Sequence, residues 1–485
     1  MGIYPSKSTF DALAKSGGLV PVCKEIFLDF ENPLTVFSKV KKFEYPFLLE
    51  SVEGGEKWGR FSFIGFSPFA VYTFKDGDFK ISFRKGVEKG KANTPLEPVK
   101  EFLKRYRVVR YEGLPRFLGG AVGYISYDCV RFFEKLKISS REILNLPDAF
   151  FLFTDRFIVY DNLKHTFLIV VLAEKGGYED ALREIENIEK VIRKGKFERN
   201  EIYLDATSSL KTSSNFTRKR FEEIVRVAKE YIFAGDVIQV VLSQRLKVQY
   251  SGEPFRIYRA LRVINPSPYM FYLDLKDFQI IGSSPEILAR VEGREIEVKP
   301  IAGTRPRGKT KEEDLKLEEE LVRSEKERAE HIMLVDLGRN DVGRVSLPGS
   351  VKVTALMVVE RYSHVMHLVS SVKGILRDDV DMFSAFVSAF PAGTVTGAPK
   401  IRAMEIIDEL EKEKRGIYAG AIGYFDYSGN MDMAIAIRTL IKKGKDVYIQ
   451  AGAGIVADSD PSAEYEETLS KARALLRAVE MAGKR

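Results

Sequence analysis

The stretch GDVIQVVLSQRLKV, Gly235 to Val248, decides how the rest of the chain is read. Its alternation predicts a β-strand, with Val237, Gln239, Val241, Ser243 and Arg245 on one face and Ile238, Val240, Leu242 and Leu246 on the other. A glutamine in such a strand must find hydrogen-bond partners or face a polar cavity. Just upstream, Phe221, Ile224, Val225, Ala228, Tyr231 and Ile232 fall at helical spacing, and Gly235 is placed to end that helix.

Before the helix, DATSSLKTSSNFT (Asp205 to Thr217) is rich in Ser and Thr and poor in large apolar residues. This composition marks 206–217 as a linker between a unit over 1–205 and one over 218–485. The first unit closes on an amphipathic helix carrying Leu182, Ile185, Ile188, Val191 and Ile192. Ahead of it lie the strand-like runs FSFIGFSPFAVYTF, AVGYISYD, FFLFTDRFIVYD and TFLIVVLA. Short turns such as Lys75-Asp76-Gly77-Asp78 predict antiparallel pairing among them.

The 485 residues, 45% hydrophobic and 30% charged, have the composition of a soluble globular chain. No apolar run approaches the roughly 18 residues of a membrane span. The N-terminal MGIYPSKSTFDALAKSGG lacks the basic-then-apolar pattern of a signal peptide. Two cysteines, Cys23 and Cys129, build no disulfide framework and no CxxC, which points to a reducing cytoplasm. The net charge of +7 is small against 76 basic and 69 acidic residues. The mild clusters KRYR (Lys104 to Arg107) and RVVRYEGLPR (Arg107 to Arg116) read as solvated surface, without the basic stripe of a nucleic-acid binder. Neither nucleic acid nor membrane is expected as a partner.

Carboxylates gather on predicted helices. KERAEHIMLVDL sets Glu327 and Glu330 on one helical face, and SAEYEETLSKARALLRAVE sets Glu464, Glu467 and Lys471 on neighbouring turns. A third run, KEEDLKLEEEL, is interspersed with lysine and reads as a solvated face. Paired carboxylates completed by waters and substrate oxygens are the usual way to hold magnesium, although such pairs are also ordinary surface features. Of the four histidines none falls in an HExxH, which excludes a zinc hydrolase of that type. RYSHVMHLVSSV predicts a strand with His364 and His367 on opposite faces.

Glycine-rich turns recur: PIAGTRPRG, PAGTVTGAPK, YAGAIGYF and QAGAGIV. The second sits in FPAGTVTGAPK, Phe390 to Lys400, which has the look of a phosphate loop but not the spacing. Three residues separate Gly393 from Gly397, and Ala398-Pro399 intervene before Lys400. The exposed amides of such turns hold carboxylate as readily as phosphate. Arg305, Arg307, Arg438 and Lys471 lie near these turns and strengthen an anion-site reading.

In order along the chain, GDVIQVVLSQR, NPSPYMFYL, PIAGTRPRG, EHIMLVDLGRND, RYSHVMHLVS, AGTVTGAPKIRAMEII, YAGAIGYF, AIAIRT and QAGAGIVADSDPSAEYEET resemble the chorismate-utilising enzymes. The resemblance runs from about Ala234 to Ala474. It implies an α+β fold of layered α/β/α type, with large, mostly antiparallel sheets shared between an N-terminal regulatory domain and a chorismate-binding catalytic domain. It implies that Glu330 and Glu467 hold Mg2+, and that Gly303, Thr304, Tyr418, Arg438, Gly452, Ala453, Gly454 and Lys471 line the substrate site. The loop at Gly393-Thr394 would then serve a carboxylate-bearing ring rather than a phosphate. Arg438 suits the enolpyruvyl carboxylate, because a guanidinium fork matches two carboxylate oxygens. Glu327 is the candidate general acid for the hydroxyl that leaves ring carbon 4. His367 matches the family histidine linked to pyruvate elimination, and Thr394 the threonine beside it.

Two positions narrow the choice. Gln239 stands where water-adding members carry a lysine, and an amide is no general base, so ammonia is favoured as the nucleophile. Ala302 stands where many folate-pathway members carry a nucleophilic lysine, and it can form no covalent adduct. Both favour anthranilate and pyruvate as products, with aminodeoxychorismate or isochorismate and salicylate formation as the alternatives. Glu50 and Ser51 of LLES, with Pro268, Tyr269 and Met270, resemble the segments that bind tryptophan as feedback inhibitor, and Lys57 is the stand-in for a lysine that follows. Neither cysteine lies in a nucleophile turn. The resemblance therefore implies a separate glutamine amidotransferase subunit as ammonia source, and a hetero-oligomer.

Overall fold

The structure is a computed structural model that describes residues 2–51, 59–197, 201–202, 210–362 and 365–483. The decisive stretch forms the strand Gln239–Gln249, buried from Gln239 through Leu246. It begins two residues later than the alternation predicts, and Ile238 just before it is 64% exposed. The preceding helix is Arg218–Phe233, whose Phe221, Ile224, Val225 and Ala228 are buried. Thr217 caps it by accepting the Arg220 N–H, and Gly235 at φ +84 turns the chain out of it, a conformation that glycine adopts without strain. The first unit's closing helix is Tyr178–Lys194. Of the expected linker, 206–209 lie outside the described residues.

Two large sheets, of 13 and 12 strands, dominate the fold. Named strands pair antiparallel throughout, as in Gln239–Gln249 against Asp446–Ile455 over ten positions, from Val240↔Ile455 to Gln249↔Asp446. Each sheet is assembled from both halves of the chain. In the larger, Phe47–Glu50 pairs with Tyr269–Asp274; in the smaller, Gly120–Ile125 pairs with Ala421–Asp426. The run FSFIGFSPFAVYTF is two strands, not one: Phe61–Gly65 lies in the larger sheet and Ala70–Lys75 in the smaller. The chain crosses at Ser67, which takes φ +48. FFLFTDRFIVYD divides likewise into Ala149–Thr154 and Arg156–Asp161. The Lys75–Asp78 turn is a tight hairpin with Asp76 and Gly77 both at positive φ.

Strand alternation sorts the side chains into layers. Tyr424 points into the space between the sheets, 4.6 Å from the Phe117 ring and 6.2 Å from Phe63. Its neighbour Phe425 points outward and meets Phe383 of the helix Met382–Ala389, with ring centroids 4.8 Å apart. On the larger sheet Phe271 faces the shared core, while Tyr272 faces outward against Phe255 of the helix Pro254–Ile264. The layered α+β expectation holds, with a double β layer: two sheets packed face to face and helices on both outer surfaces. KEEDLKLEEEL is not wholly a solvated face. It forms the helix Lys311–Arg323, whose Asp314 is buried against Arg307 at 2.8 Å. No helix among the described residues is long and apolar enough to cross a membrane.

Candidate active site

The glycine-rich turns act first as packing devices. FPAGTVTGAPK lies between the Gln239–Gln249 strand and the helix Glu325–Gly343. A Cβ at Gly397, which sits at φ +133, would collide with the Gln239 carbonyl oxygen, and one at Gly393 with the Leu337 side chain. Lys400, the lysine of the apparent phosphate loop, is committed to Asp341 at 2.9 Å. The loop carries backbone close to the strand rather than cradling phosphate.

The candidate residues then assemble from six directions. Gln239 donates from Nε2 to Glu330 Oε1 at 3.2 Å, which joins the strand to the Glu325–Gly343 helix. A Cβ at Gly454 would stand 2.5 Å from the same Nε2, so the AGAG run leaves room for the amide. Gly452, Ala453 and Gly454 pair with Ser243, Leu242 and Val241, and a Cβ at Gly452 would reach 2.7 Å from the Tyr418 hydroxyl. Lys471, on the helix Pro461–Gly483, bridges Glu467 at 2.7 Å and the Gly452 carbonyl at 3.0 Å. Arg438, at φ +49, donates to the Lys471 carbonyl. Gly303, at φ +69, brings the strand Ile301–Pro306 to within 3.0 Å of the Glu327 carboxylate, measured from its Cβ position.

His367 sits opposite Thr304 on the neighbouring strand. Its Nδ1 is 3.0 Å from the Gly303 carbonyl and 3.0 Å from Thr304 Oγ1. A carbonyl can only accept, so Nδ1 carries the hydrogen and Nε2 is left with a lone pair. Burial, opposed in part by the Gly303 bond and reinforced by Arg438, holds the imidazole pKa below its ordinary value. The ring is therefore neutral and able to take a proton. His364 lies outside the described residues.

Two acidic helices face one another here. Burial and the charge of Glu327 raise the Glu330 pKa, against lowering by Gln239, Lys471 and Lys326. Glu464 is raised likewise by burial and by Glu467, and feels the same two lysines. Lys471 ties the two helices together, pairing with Glu467 at 2.7 Å and acting on the Glu330 carboxyl, so oxygen ligands from Glu330 and Glu467 fit the expected metal. Among the described residues no three His, Cys, Asp or Glu groups stand close enough to form a protein-only cage. Two carboxylates completed by water and substrate is the arrangement magnesium favours.

Sequence reasoning missed Glu286. It is 7% exposed, and burial pushes its carboxyl up to about 8, eased only by the Thr394 hydroxyl and the Ile301 N–H. Its own carbonyl accepts from Ile435 N–H at 3.0 Å. It is thus bracketed by three segments that carry candidates: Ile301–Pro306, Gly393–Thr394 and the stretch leading to Arg438. Thr394 Oγ1 faces this carboxyl short of regular hydrogen-bond geometry and has no other partner among the described residues. Glu327, by contrast, is ion-paired with Arg305 at 3.1 Å. An acid placed just before the apolar strand run ILARV, in SSPEILARVE, was the available signal.

A cavity of about 550 Å3 lies beside this cluster. Glu50, Ser51, Pro268, Tyr269 and Met270 all line it, brought together because Glu50 pairs with Met270 across adjacent strands. Glu50 is fixed by the Tyr258 hydroxyl at 2.5 Å and by Arg262 at 3.1 Å. Lys57 lies outside the described residues. Tyr362, which also lines the cavity, stacks edge-on against His367 with centroids 5.7 Å apart, so cavity and cluster share a wall.

A family model described as chorismate binding enzyme matches residues 45–477. The chain is 49% identical to the anthranilate synthase component 1 of Aquifex aeolicus over 483 residues, covering 97% of this chain and 96% of that one. It is 49% identical over 489 residues to the protein of the same name from Acetivibrio thermocellus, covering 99% of both. Among solved structures, anthranilate synthase component I from Streptococcus pneumoniae matches with a TM-score of 0.78 at 39% identity, over 88% of this chain and 95% of that one. The menaquinone-specific isochorismate synthase MenF of Escherichia coli matches over 98% of both chains with a TM-score of 0.71 at 18% identity, a likeness of fold alone. Together with the motifs set around Gln239, these matches mean that the chain belongs to the chorismate-binding enzyme family.

Proposed function

We infer that the chain is the large component of an anthranilate synthase, converting chorismate and ammonia to anthranilate and pyruvate. The observation that carries this is near-full-length identity of 49% to relatives bearing that name. Gln239, a neutral amide held against Glu330, supports ammonia over water as the nucleophile. Bound magnesium, held by Glu330 and Glu467, would supply the pull of electron density toward the ring carboxylate. Glu286 is the carboxyl best suited to protonate the hydroxyl leaving carbon 4, because it is buried and protonated at neutral pH. This moves the acid role from Glu327, which is engaged in an ion pair with Arg305 at 3.1 Å. His367 Nε2 then takes the proton from carbon 2 as pyruvate departs and the ring becomes aromatic. Arg438 and Lys471 orient the substrate carboxylates.

The cavity beside Glu50 and Met270 supports tryptophan as a feedback ligand. Both cysteines are buried, with thiol pKa values pushed up, Cys23 to about 12, so neither is poised as a glutaminase nucleophile. The name component 1 borne by the relatives supports a partner glutamine amidotransferase and a hetero-oligomer, and the cysteine content supports a cytoplasmic setting. The test is a product assay with purified chain, chorismate, Mg2+ and ammonium. Anthranilate and pyruvate in equal amounts are expected. Aminodeoxychorismate without pyruvate, or a hydroxylated product without nitrogen, would overturn the reading.

A further inference from the structure

Glu286 gives up a proton in every turnover but is 7% exposed, so it must recover one from somewhere. Behind it lies a second, small cavity of about 40 Å3, lined by Glu286, Thr394, Asp341 and Lys299 among apolar neighbours such as Leu334, Leu337 and Ile435. At ~10–15 Å3 per water it holds about three waters. Polar partners for them converge there: the Glu286 carboxyl, the buried Thr394 Oγ1, which makes no hydrogen bond of regular geometry among the described residues, and Asp341.

On its far side Asp341 also lines a groove of about 240 Å3 between the helices Glu325–Gly343 and Lys400–Glu411, with Arg344 and Lys400. Among the described residues it is the one titratable side chain that lines both the inner cavity and this groove. Lys400 sits 2.9 Å and 3.1 Å from its two oxygens, and Arg344 adds a second positive charge. Burial nonetheless raises its pKa, which makes it able to hold a proton briefly.

We propose that Asp341 and the waters of the inner cavity form a proton-return path that recharges Glu286 from solvent. The idea rests on the acid role given to Glu286 above. In each cycle a proton passes from the Asp341 carboxyl to a cavity water, a water proton passes to the Glu286 carboxylate, and Asp341 takes a proton from the groove. No bond to carbon is made or broken.

The test needs no turnover. The protonated Glu286 carboxyl gives an infrared C=O band, identified by its loss in Glu286→Gln, and its hydrogen–deuterium exchange is timed after transfer to D2O at pH 7. Asp341→Asn should slow exchange about a hundredfold, the lower end of what a positioned proton donor contributes. Leu337→Phe, which fills the cavity without touching a charge, should slow it too. Lys400→Met, which breaks the ion pair but keeps the carboxyl, should leave it fast. Unchanged exchange in Asp341→Asn and Leu337→Phe would overturn the path and place proton return at the substrate mouth. Equal slowing by Lys400→Met would make the ion pair, not the carboxyl, responsible. Absence of the band at pH 7 would also sink the path. A wild-type chain that fails to make anthranilate would count against the functional reading and leave the exchange result standing.

Discussion

In the proposed mechanism Glu286 and His367 divide acid from base by environment alone. One is a carboxyl kept neutral by burial, the other an imidazole kept neutral by burial with its hydrogen pinned to a carbonyl. Activity should therefore fall as pH rises through about 8, where Glu286 ionises, and a kcat–pH profile checks this. Glu286→Gln should lower kcat by about a hundredfold or more and remove that upper limb. Stability should move the other way. A carboxyl raised from 4.5 to about 8 binds its proton in the folded state while the unfolded chain has released it. Its stabilising effect is complete below 4.5 and is lost as pH rises through about 8. Glu286→Gln should consequently unfold at the same or a higher temperature than the parent at pH 8, measured by calorimetry. Glu330, Glu467 and Arg438 could be named as candidates from the sequence because long motifs surround them. Glu286 could not, because its pKa is set by burial, eased by Thr394 and Ile301, and these surroundings exist only in the folded chain.

The glycine turns and the acidic helices were legible to different depths. Helix and strand periods gave the Arg218–Phe233 and Gln239–Gln249 pair to within two residues. The crossing at Ser67 was invisible, since an apolar run does not say which of two sheets its halves will join. The apparent phosphate loop is instead a spacer, and its glycines are tested by their collisions. Gly397→Ala should cost about 1–3 kcal/mol in denaturant unfolding, since a Cβ there meets the Gln239 carbonyl, and should lower kcat with it. The metal reading belongs to the two facing helices. Glu467→Gln should weaken Mn2+ binding, read by EPR in place of Mg2+, by more than about tenfold, a loss seen even when only an outer partner of a metal ligand is removed.

The cavity and the catalytic cluster are neighbours through Tyr362, so an occupant of the first presses on a wall of the second. Met270→Ala should weaken tryptophan binding by about tenfold, or ~1.4 kcal/mol, in calorimetric titration while leaving kcat within about twofold. Equal loss of both would deny the cavity a regulatory role. Composition and linker spoke of two units, and pairing patterns spoke of antiparallel sheets. That the halves would be woven through common sheets follows from registers such as Leu48↔Tyr272 and Gly123↔Gly423, which no local pattern encodes. The weave bears on how the protein can be divided. A chain cut at the Ser/Thr-rich stretch has severed its backbone but none of the ladders between Phe47–Glu50 and Tyr269–Asp274, or between Gly120–Ile125 and Ala421–Asp426. Produced as two polypeptides, each piece alone would bare open strand edges and aggregate, whereas made together they would find one another and restore a working enzyme from halves that no longer share a covalent bond.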